Sequence, residues 1–246
     1  MSIKENLELV KQNIADAVTK VGKKHEDIIL VMATKTVDPE RIREAIHADG
    51  RIIGENKVQE ALKKYEVLKG ENAEWHFIGH LQTNKVKDVL KFASMIHSVD
   101  RMSLVEKLDQ RLRHDGRSMD ILVQINTSYE ESKYGIAPEE AISLVKQIAR
   151  YDTLKIRGLM TIGLFTKDEV KIRKCFKLLK EINDKIIKEG IDRAEMKYLS
   201  MGMSGDYQIA IEEGANMVRI GTAIFGARPT PDAYYWPSEK TDADRE

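Results

Sequence analysis

The chain of 246 residues carries 40 lysines and arginines against 40 aspartates and glutamates, and 42% of its residues are hydrophobic. The zero formal net charge argues against a nucleic-acid binder that works by releasing counterions. The single cysteine, Cys175, excludes an intramolecular disulfide and a cysteine metal cluster.

No stretch of the sequence approaches the ~20 consecutive apolar residues that a membrane-spanning helix needs. The first residues, Met1–Asn6, are charged by the fourth position and lack the apolar segment of a secretory signal. We therefore expect a soluble, cytoplasmic protein that binds neither membranes nor nucleic acids.

A helix is predicted over residues 3–21, because apolar side chains recur three or four positions apart along this segment. Ser2 is its predicted N-cap. The run at 28–33 is continuously apolar and contains β-branched residues, which is typical of a strand buried on both faces of a parallel sheet. Pro39 opens the next predicted helix, and Asp38 is the expected cap.

The alternation of apolar runs and amphipathic segments continues to residue 220. Further strands are predicted at 51–54, 74–78, 94–98, 119–125, 155–160, 196–199 and 216–220. Further helices are predicted at 39–48, 56–69, 83–91, 101–113, 138–150, 168–189 and 205–213. About eight strands that alternate with helices indicate βαβ units and a parallel sheet.

Eight such units in ~250 residues match the size of a (β/α)₈ barrel. We predict an α/β protein with a single TIM-like barrel domain over residues 1–228 and an additional N-terminal helix. A doubly wound open sheet is the alternative, because the sequence does not show whether the sheet closes. Residues 229–246 are rich in proline and charge and are predicted to form a disordered polar tail.

The active site of a parallel barrel lies at the carboxyl ends of its strands, so the residues that follow each strand are the candidates for chemistry. Lys35 ends the first apolar strand. A partly desolvated lysine there has a lowered pKa, which leaves its amine available for Schiff-base chemistry. The alternative is a solvated lysine that opens a loop.

Two turns after the last strands are candidates for an anion site. The segment 200–205 is rich in glycine and serine and leads into a helix, and Gly221 and Thr222 follow the eighth strand. Backbone N–H groups at a helix start bind anions, and barrels often hold phosphate between the loops after strands seven and eight. Ordinary helix capping is the alternative.

Two further features concern charge and metals. Arg219 lies within an apolar strand, where its charge must pair with a carboxylate or reach a ligand.

His76 and His80 are four residues apart, but the segment between them is a strand that ends in glycine. The two side chains therefore do not share a helical face, and we predict no metal site.

Six segments together resemble one protein family: Ala33–Thr36, Gly54–Glu60, Trp75–Lys85, Arg157–Met160, Leu199–Ser204 and Val218–Gly226. In this order, and over almost the whole chain to Arg228, they are similar to the YggS/PROSC family of pyridoxal 5′-phosphate (PLP) homeostasis proteins. The family fold is a barrel like the N-terminal domain of alanine racemase.

The resemblance implies that PLP is bound as a Schiff base on Lys35 and that Arg219 faces the pyridine nitrogen. Phosphate contacts are implied for Ser200, Ser204, Gly221 and Thr222. Asn56 and His80 are placed near the ring or its open face. With two methionines that follow strands, the predicted cofactor-binding residues are Lys35, Asn56, His80, Met160, Ser200, Met203, Ser204, Arg219, Gly221 and Thr222.

One departure from the family is Val37, which stands where some members carry a second lysine. The resemblance implies a PLP carrier or buffer without established catalytic turnover and without catalytic residues. We expect a monomer whose partners are PLP and PLP-dependent apoenzymes. The alternatives are a PLP-dependent amino-acid racemase or related PLP enzyme, and a scaffold in which the cofactor is incidental.

Overall fold

A computed structural model describes residues 1–22 and 28–227 of the chain. Arg228 and the predicted polar tail at 229–246 lie outside the described residues, so the domain boundary at 228 stays a prediction. Within the described part of the chain, no helix is long and apolar enough to cross a membrane.

Eight parallel strands close into a barrel in chain order. They are β1 (Ile29–Ala33), β2 (Ile52–Glu55), β3 (Glu74–Phe77), β4 (Met95–Val99), β5 (Met119–Gln124), β6 (Leu154–Met160), β7 (Ala194–Ser200) and β8 (Met217–Ile220). Closure comes from β8, which pairs in parallel with β1 and places Arg219 beside Val31. The predicted barrel is confirmed, and the open sheet is wrong.

Nine α-helices lie within the described residues. They are α1 (Ile3–Lys20), α2 (Pro39–His47), α3 (Val58–Leu68), α4 (Val86–Val89), α5 (Met102–His114), α6 (Ala141–Ile148), α7 (Glu169–Glu189), α8 (Tyr207–Glu212) and α9 (Thr222–Phe225). The helix predicted at 83–91 is a 3₁₀ turn, Thr83–Lys85, followed by the single turn of α4. The helix predicted at 138–150 likewise begins with a 3₁₀ turn, Pro138–Glu140. The four-residue α9 was not predicted, because it is too short to show a period.

The N-terminal helix α1 begins with a complete capping box, as its sequence predicts. Ser2 Oγ accepts the N–H of Glu5, and the Glu5 carboxylate accepts the N–H of Ser2. Its apolar face packs on α2, α8 and α9, across the outside of the barrel where β8 meets β1. The cap predicted for α2 is wrong in detail, since Asp38 precedes Pro39 but makes no side-chain capping hydrogen bond.

The hydrophobic core has two parts. The larger part packs the helices onto the outer faces of the strands. The smaller part fills the barrel interior and consists of Val31, Met95, Leu122, Met160 and Met217. Apolar layers of this kind close the barrel axis, so side chains at the carboxyl ends of the strands are presented to one open end.

Candidate functional site

A cavity of about 790 Å³ opens at the carboxyl end of the barrel. That volume lies within the usual range for a site that holds a small molecule or a cofactor. Eight of the predicted site residues line it: Lys35, Asn56, His80, Met203, Ser204, Arg219, Gly221 and Thr222. Arg219 lies in β8 and the other seven follow β1, β2, β3, β7 or β8, so the cavity is assembled from segments remote in sequence.

The other two predicted site residues lie behind the cavity wall. Met160 is fully buried in the apolar cluster of the barrel interior. Ser200 is also fully buried, and its hydroxyl accepts a hydrogen bond from Nη1 of Arg219 at 2.7 Å. The Ser200 hydroxyl therefore supports the guanidinium of Arg219, and the phosphate contact expected for Ser200 stays a prediction.

Lys35 is half-buried and lies in a tight turn directly after β1. The turn is closed by a 3.0 Å hydrogen bond from the N–H of Val37 to the carbonyl of Thr34. Thr36 has a φ of 64°, a left-handed conformation that is uncommon for a β-branched residue. The strand and the turn together direct the segment that carries the Lys35 amine to the cavity.

Arg219 is 4% exposed, and the two hydrogen bonds that it makes within the described residues are to neutral acceptors. Nη1 donates to Ser200 Oγ, and Nη2 donates to the carbonyl of Thr161, each at 2.7 Å. Burial lowers the pKa of Arg219 to about 10, while the charge of Asp206 opposes this shift. The guanidinium therefore remains a cation at neutral pH. Its hydrogen bonds to Ser200 and Thr161 fix its position in the cavity wall.

A chain of polar side chains continues from Ser200 through the barrel interior. His97 Nδ1 lies 3.2 Å from Ser200 Oγ, and His97 Nε2 lies 2.9 Å from Nδ1 of His76. His76 Nε2 in turn lies 3.1 Å from the carboxylate of Glu74. Sequence reasoning missed this chain, although a histidine and a serine in the otherwise apolar strand β4 are the signal that could have revealed it.

The anion-binding turns predicted after β7 and β8 meet in the structure. Ser204 Oγ accepts the N–H of Gly221 at 3.2 Å and the N–H of Ala223 at 3.3 Å. A Cβ at Gly221 would lie 2.9 Å from the carbonyl oxygen of Ala33, so this close approach requires glycine. The two turns therefore gather backbone N–H groups and a hydroxyl at one place on the cavity wall.

Asn56 and His80 line the cavity from the loops that follow β2 and β3. The His80 ring stacks on Tyr134 with ring centroids 3.8 Å apart and an interplanar angle of 17°. Asn56 Oδ1 is buried and accepts no hydrogen bond from the described residues, which leaves one acceptor available to a ligand. His76 bonds to His97 instead, so His76 and His80 contact different partners.

Comparison with known proteins gives the same fold and one family. Residues 5–229 match the family described as alanine racemase, N-terminal domain. A pyridoxal phosphate homeostasis protein of Aquifex aeolicus is 41% identical over 228 residues, which cover 93% of this chain and 99% of the relative. The protein of the same name from Pasteurella multocida is 38% identical and covers 93% of this chain and 98% of its own length.

Solved structures agree with this result. The structure of PipY from Synechococcus elongatus with PLP bound has a TM-score of 0.76 and 30% identity, and covers 87% of this chain and all of that chain (100%). An alanine racemase of Clostridium difficile has a TM-score of 0.74 at 16% identity, and the match covers 94% of this chain and 58% of the racemase. The racemase therefore shows the fold alone. The chain belongs to the family of pyridoxal phosphate homeostasis proteins, which share the barrel of the alanine racemase N-terminal domain.

Proposed function

We propose that this protein binds PLP in the cavity as a Schiff base on Lys35 and acts in PLP homeostasis as a carrier or buffer. One observation carries the proposal: an amine, a buried cation and an anion-binding turn line a single cavity. They belong to Lys35, Arg219 and the Ser204–Gly221 pair, and they match the aldehyde, the ring nitrogen and the phosphate of PLP.

The residues present fit the cofactor group by group. The phosphate suits the hydroxyls of Ser204 and Thr222 together with the backbone N–H groups of these two turns, including that of Gly221. Such donors form strong hydrogen bonds with an anion. The Arg219 guanidinium suits an unprotonated ring nitrogen, because arginine only donates. Bound PLP would supply an electrophilic aldehyde and an electron-withdrawing ring. Asn56 Oδ1 offers a remaining acceptor.

The relatives support a role in homeostasis rather than a defined reaction. The two closely similar curated proteins described above are named pyridoxal phosphate homeostasis proteins, and the PipY structure contains PLP. We propose that the present chain likewise lacks significant catalytic turnover and delivers or stores its cofactor as a cytoplasmic monomer. PLP-dependent apoenzymes are the proposed recipients.

A PLP-dependent racemase is the second candidate, and the fold alone favours it. The match to the C. difficile racemase covers only 58% of that enzyme, so a large part of the racemase has no counterpart in the aligned region. Racemisation needs a base on each face of the bound substrate. In the racemases that the chain resembles, the second base is a tyrosine from an additional C-terminal domain.

Lysine mapping tests the proposal directly. After PLP is added, borohydride reduction should fix one phosphopyridoxyl group per chain on the peptide that contains Lys35. The Lys35→Ala variant should lose both this adduct and the visible Schiff-base absorption. Lys85→Ala, which changes another lysine of the same cavity wall, is the matched control and should keep both. An adduct that maps to Lys85 or Lys133 in the native protein would refute the assignment.

A further inference from the structure

A second lysine, Lys64 of α3, is buried close to the turn that carries Lys35. Only 5% of Lys64 is exposed, and its amine donates three hydrogen bonds. The acceptors are the carbonyl of Thr34 at 2.7 Å, Glu55 Oε1 at 2.8 Å and Glu60 Oε1 at 2.6 Å. One of these acceptors is therefore the backbone immediately before Lys35. We call Glu55, Glu60 and Lys64 the Lys64 cluster.

The same cluster also binds the backbone immediately after Lys35. Glu60 Oε1 accepts the N–H of Thr36 at 2.7 Å while it accepts the Lys64 amine. The peptide groups on both sides of Lys35 are thus tied to one ion-paired cluster on α3 and β2.

The conformation held by the cluster is one that the turn would not readily keep by itself. Thr36 has a φ of 64°, where glycine or asparagine is usual and a β-branched residue is strained. Such backbone persists only where the surroundings over-determine it, and it occurs often at functional sites. The hydrogen bonds from Glu60 and Lys64 supply that constraint at residues 34 and 36.

Stability alone does not account for the cluster. Glu55 is fully buried, and burial raises its pKa, while the Lys64 charge opposes the shift. Glu55 Oε2 accepts no hydrogen bond within the described residues. Replacing a buried ion pair by packed apolar side chains is often neutral or stabilising. The cluster is costly to bury and contacts the turn on both sides of Lys35. A role in positioning that lysine explains both features.

We propose that Glu60 and Lys64 are positioning residues that fix the turn of Lys35, so that its amine meets the aldehyde carbon while Ser204 and Gly221 hold the phosphate. The inference rests on the proposed function. The neutral Lys35 amine adds to the aldehyde carbon, a C=N bond forms, and the carbonyl oxygen leaves as water with the two amine protons. Misplacement of the turn slows this condensation, because a displacement of about 1 Å can cost ~100-fold in rate.

Glu60 gives the sharpest test, because its side chain is 29% exposed and the fold tolerates change there better than at Glu55. Glu60→Ala removes both contacts, whereas Glu60→Gln keeps an oxygen for Thr36 and Lys64. Glu66→Ala is the matched control on the same helix, since Glu66 is exposed and pairs only with Lys69 in the described structure. Schiff-base formation is followed by stopped-flow absorbance after mixing with PLP, and circular dichroism checks the fold.

We expect Glu60→Ala to slow Schiff-base formation at least about tenfold, Glu60→Gln to stay within about threefold of native, and Glu66→Ala to match the native rate. Non-covalent uptake is measured by equilibrium dialysis in a Lys35→Ala background. There, adding Glu60→Ala should change PLP affinity by less than about twofold, because the phosphate contacts are intact. If Glu60→Ala does not fold, Glu60→Asp, which keeps the charge but withdraws the carboxylate from Thr36, should show the same slowing.

A native rate in Glu60→Ala would overturn the inference. So would an equal loss of non-covalent affinity in the Lys35→Ala background, because the cluster would then act on the whole cavity rather than on Lys35. Failure of the proposed function looks different: the native protein itself would form no adduct on Lys35.

Discussion

His97 Nε2 and His76 Nδ1 lie 2.9 Å apart in the interior of the barrel, with both side chains almost completely buried. Arg219 stands at one end of this chain of hydrogen bonds. Arg219 can only donate, so Ser200 Oγ accepts from it, and the same oxygen lies 3.2 Å from His97 Nδ1. In a neutral imidazole one ring nitrogen donates and the other accepts, so His97 can link Ser200 to His76 in one continuous chain.

Two further contacts complete the chain. His97 Nε2 lies 2.9 Å from His76 Nδ1, and His76 Nε2 donates to the Glu74 carboxylate at 3.1 Å. Burial lowers the pKa of His97 and keeps it neutral, and the chain connects the cavity end of β8 with the first residue of β3 at the other end of the barrel. It holds the Arg219 guanidinium in place without adding a charge next to it.

Neutral His97 should make the protein sensitive to mild acid. Burial, and then the charges of His76 and Arg219, hold the pKa of His97 well below its usual 6.5. When pH falls below about 6.5, His97 binds a proton in the unfolded chain but not in the folded protein, so the free energy of unfolding decreases. The contribution of His97 is fully present above pH 6.5 and declines below it.

The matched variant is His97→Gln, which keeps one donor and one acceptor but does not titrate. Between pH 6.5 and 5, the native free energy of unfolding should fall more steeply than that of the variant, by up to about 1.4 kcal/mol per pH unit. Urea unfolding at both pH values measures the two slopes. Equal slopes would show that His97 accepts a proton in the folded protein.

Glu74 should contribute at the acid end of the pH scale. Its hydrogen bond with His76, helped by one from Ser94, lowers the pKa of Glu74 from 4.5 to about 2. The stability it provides is present above pH 4.5 and is lost as pH falls towards 2. Because its side chain is 52% exposed, solvent screening limits the effect to about 1 kcal/mol.

Glu74→Gln keeps an oxygen for His76 and Ser94 but removes the charge. We expect this variant to be less stable than native by about 1 kcal/mol at pH 6 and by clearly less at pH 3. Thermal unfolding at both pH values provides the measurement. A deficit that is the same at both pH values would mean that the carboxylate charge does not matter.

The phosphate site makes a prediction about the two vitamers. Charge-assisted hydrogen bonds contribute about 1.5–3 kcal/mol each, and ~1.4 kcal/mol corresponds to a tenfold change in affinity. PLP should therefore bind at least about tenfold more tightly than pyridoxal. Ser204→Ala should weaken PLP by about tenfold and leave pyridoxal unaffected, whereas Ser132→Ala, elsewhere on the cavity wall, should change neither. Equal affinities of PLP and pyridoxal for the native protein would exclude a phosphate site here.

The sequence predicts the elements of this fold well because each strand and helix shows its own local period. Closure of the barrel is different, since it depends on pairing between β1 and β8 at opposite ends of the chain. Short elements such as α9 also escape prediction, because four residues cannot display a helical repeat.

Most of the predicted site residues line the cavity because the carboxyl ends of parallel strands meet at one end of a barrel. The supporting residues could not be found in this way. His97 contacts Ser200 across 103 positions of sequence, and Lys64 contacts Thr34 across 30. Ser200 shows the limit most clearly: its place at the carboxyl end of β7 predicts a ligand contact, and nothing in the sequence indicates that its buried hydroxyl also holds Arg219.

The last prediction separates a carrier from an enzyme. Carbanion chemistry on an amino acid uses the PLP ring to withdraw electrons, and protonation of the ring nitrogen strengthens this effect. Arg219, still a cation at neutral pH, would keep that nitrogen unprotonated. This weakens the withdrawal of electrons but does not forbid racemisation, because the resemblance to racemases implies an arginine there too. The decisive requirement is a base on each side of the amino-acid Cα.

We therefore expect added L-alanine to lose its Cα proton to deuterated water no faster with this protein than with an equal concentration of PLP in solution. Exchange is followed by proton NMR with the native protein, Lys35→Ala and PLP alone. Binding of the amino acid is monitored in parallel from the visible spectrum, so that absence of exchange is distinguished from absence of access. Exchange at about 1 s⁻¹ or faster, the low end of ordinary enzyme turnover, that disappears in Lys35→Ala would show that the protein is a PLP enzyme. Lys35 would then be one of its two bases.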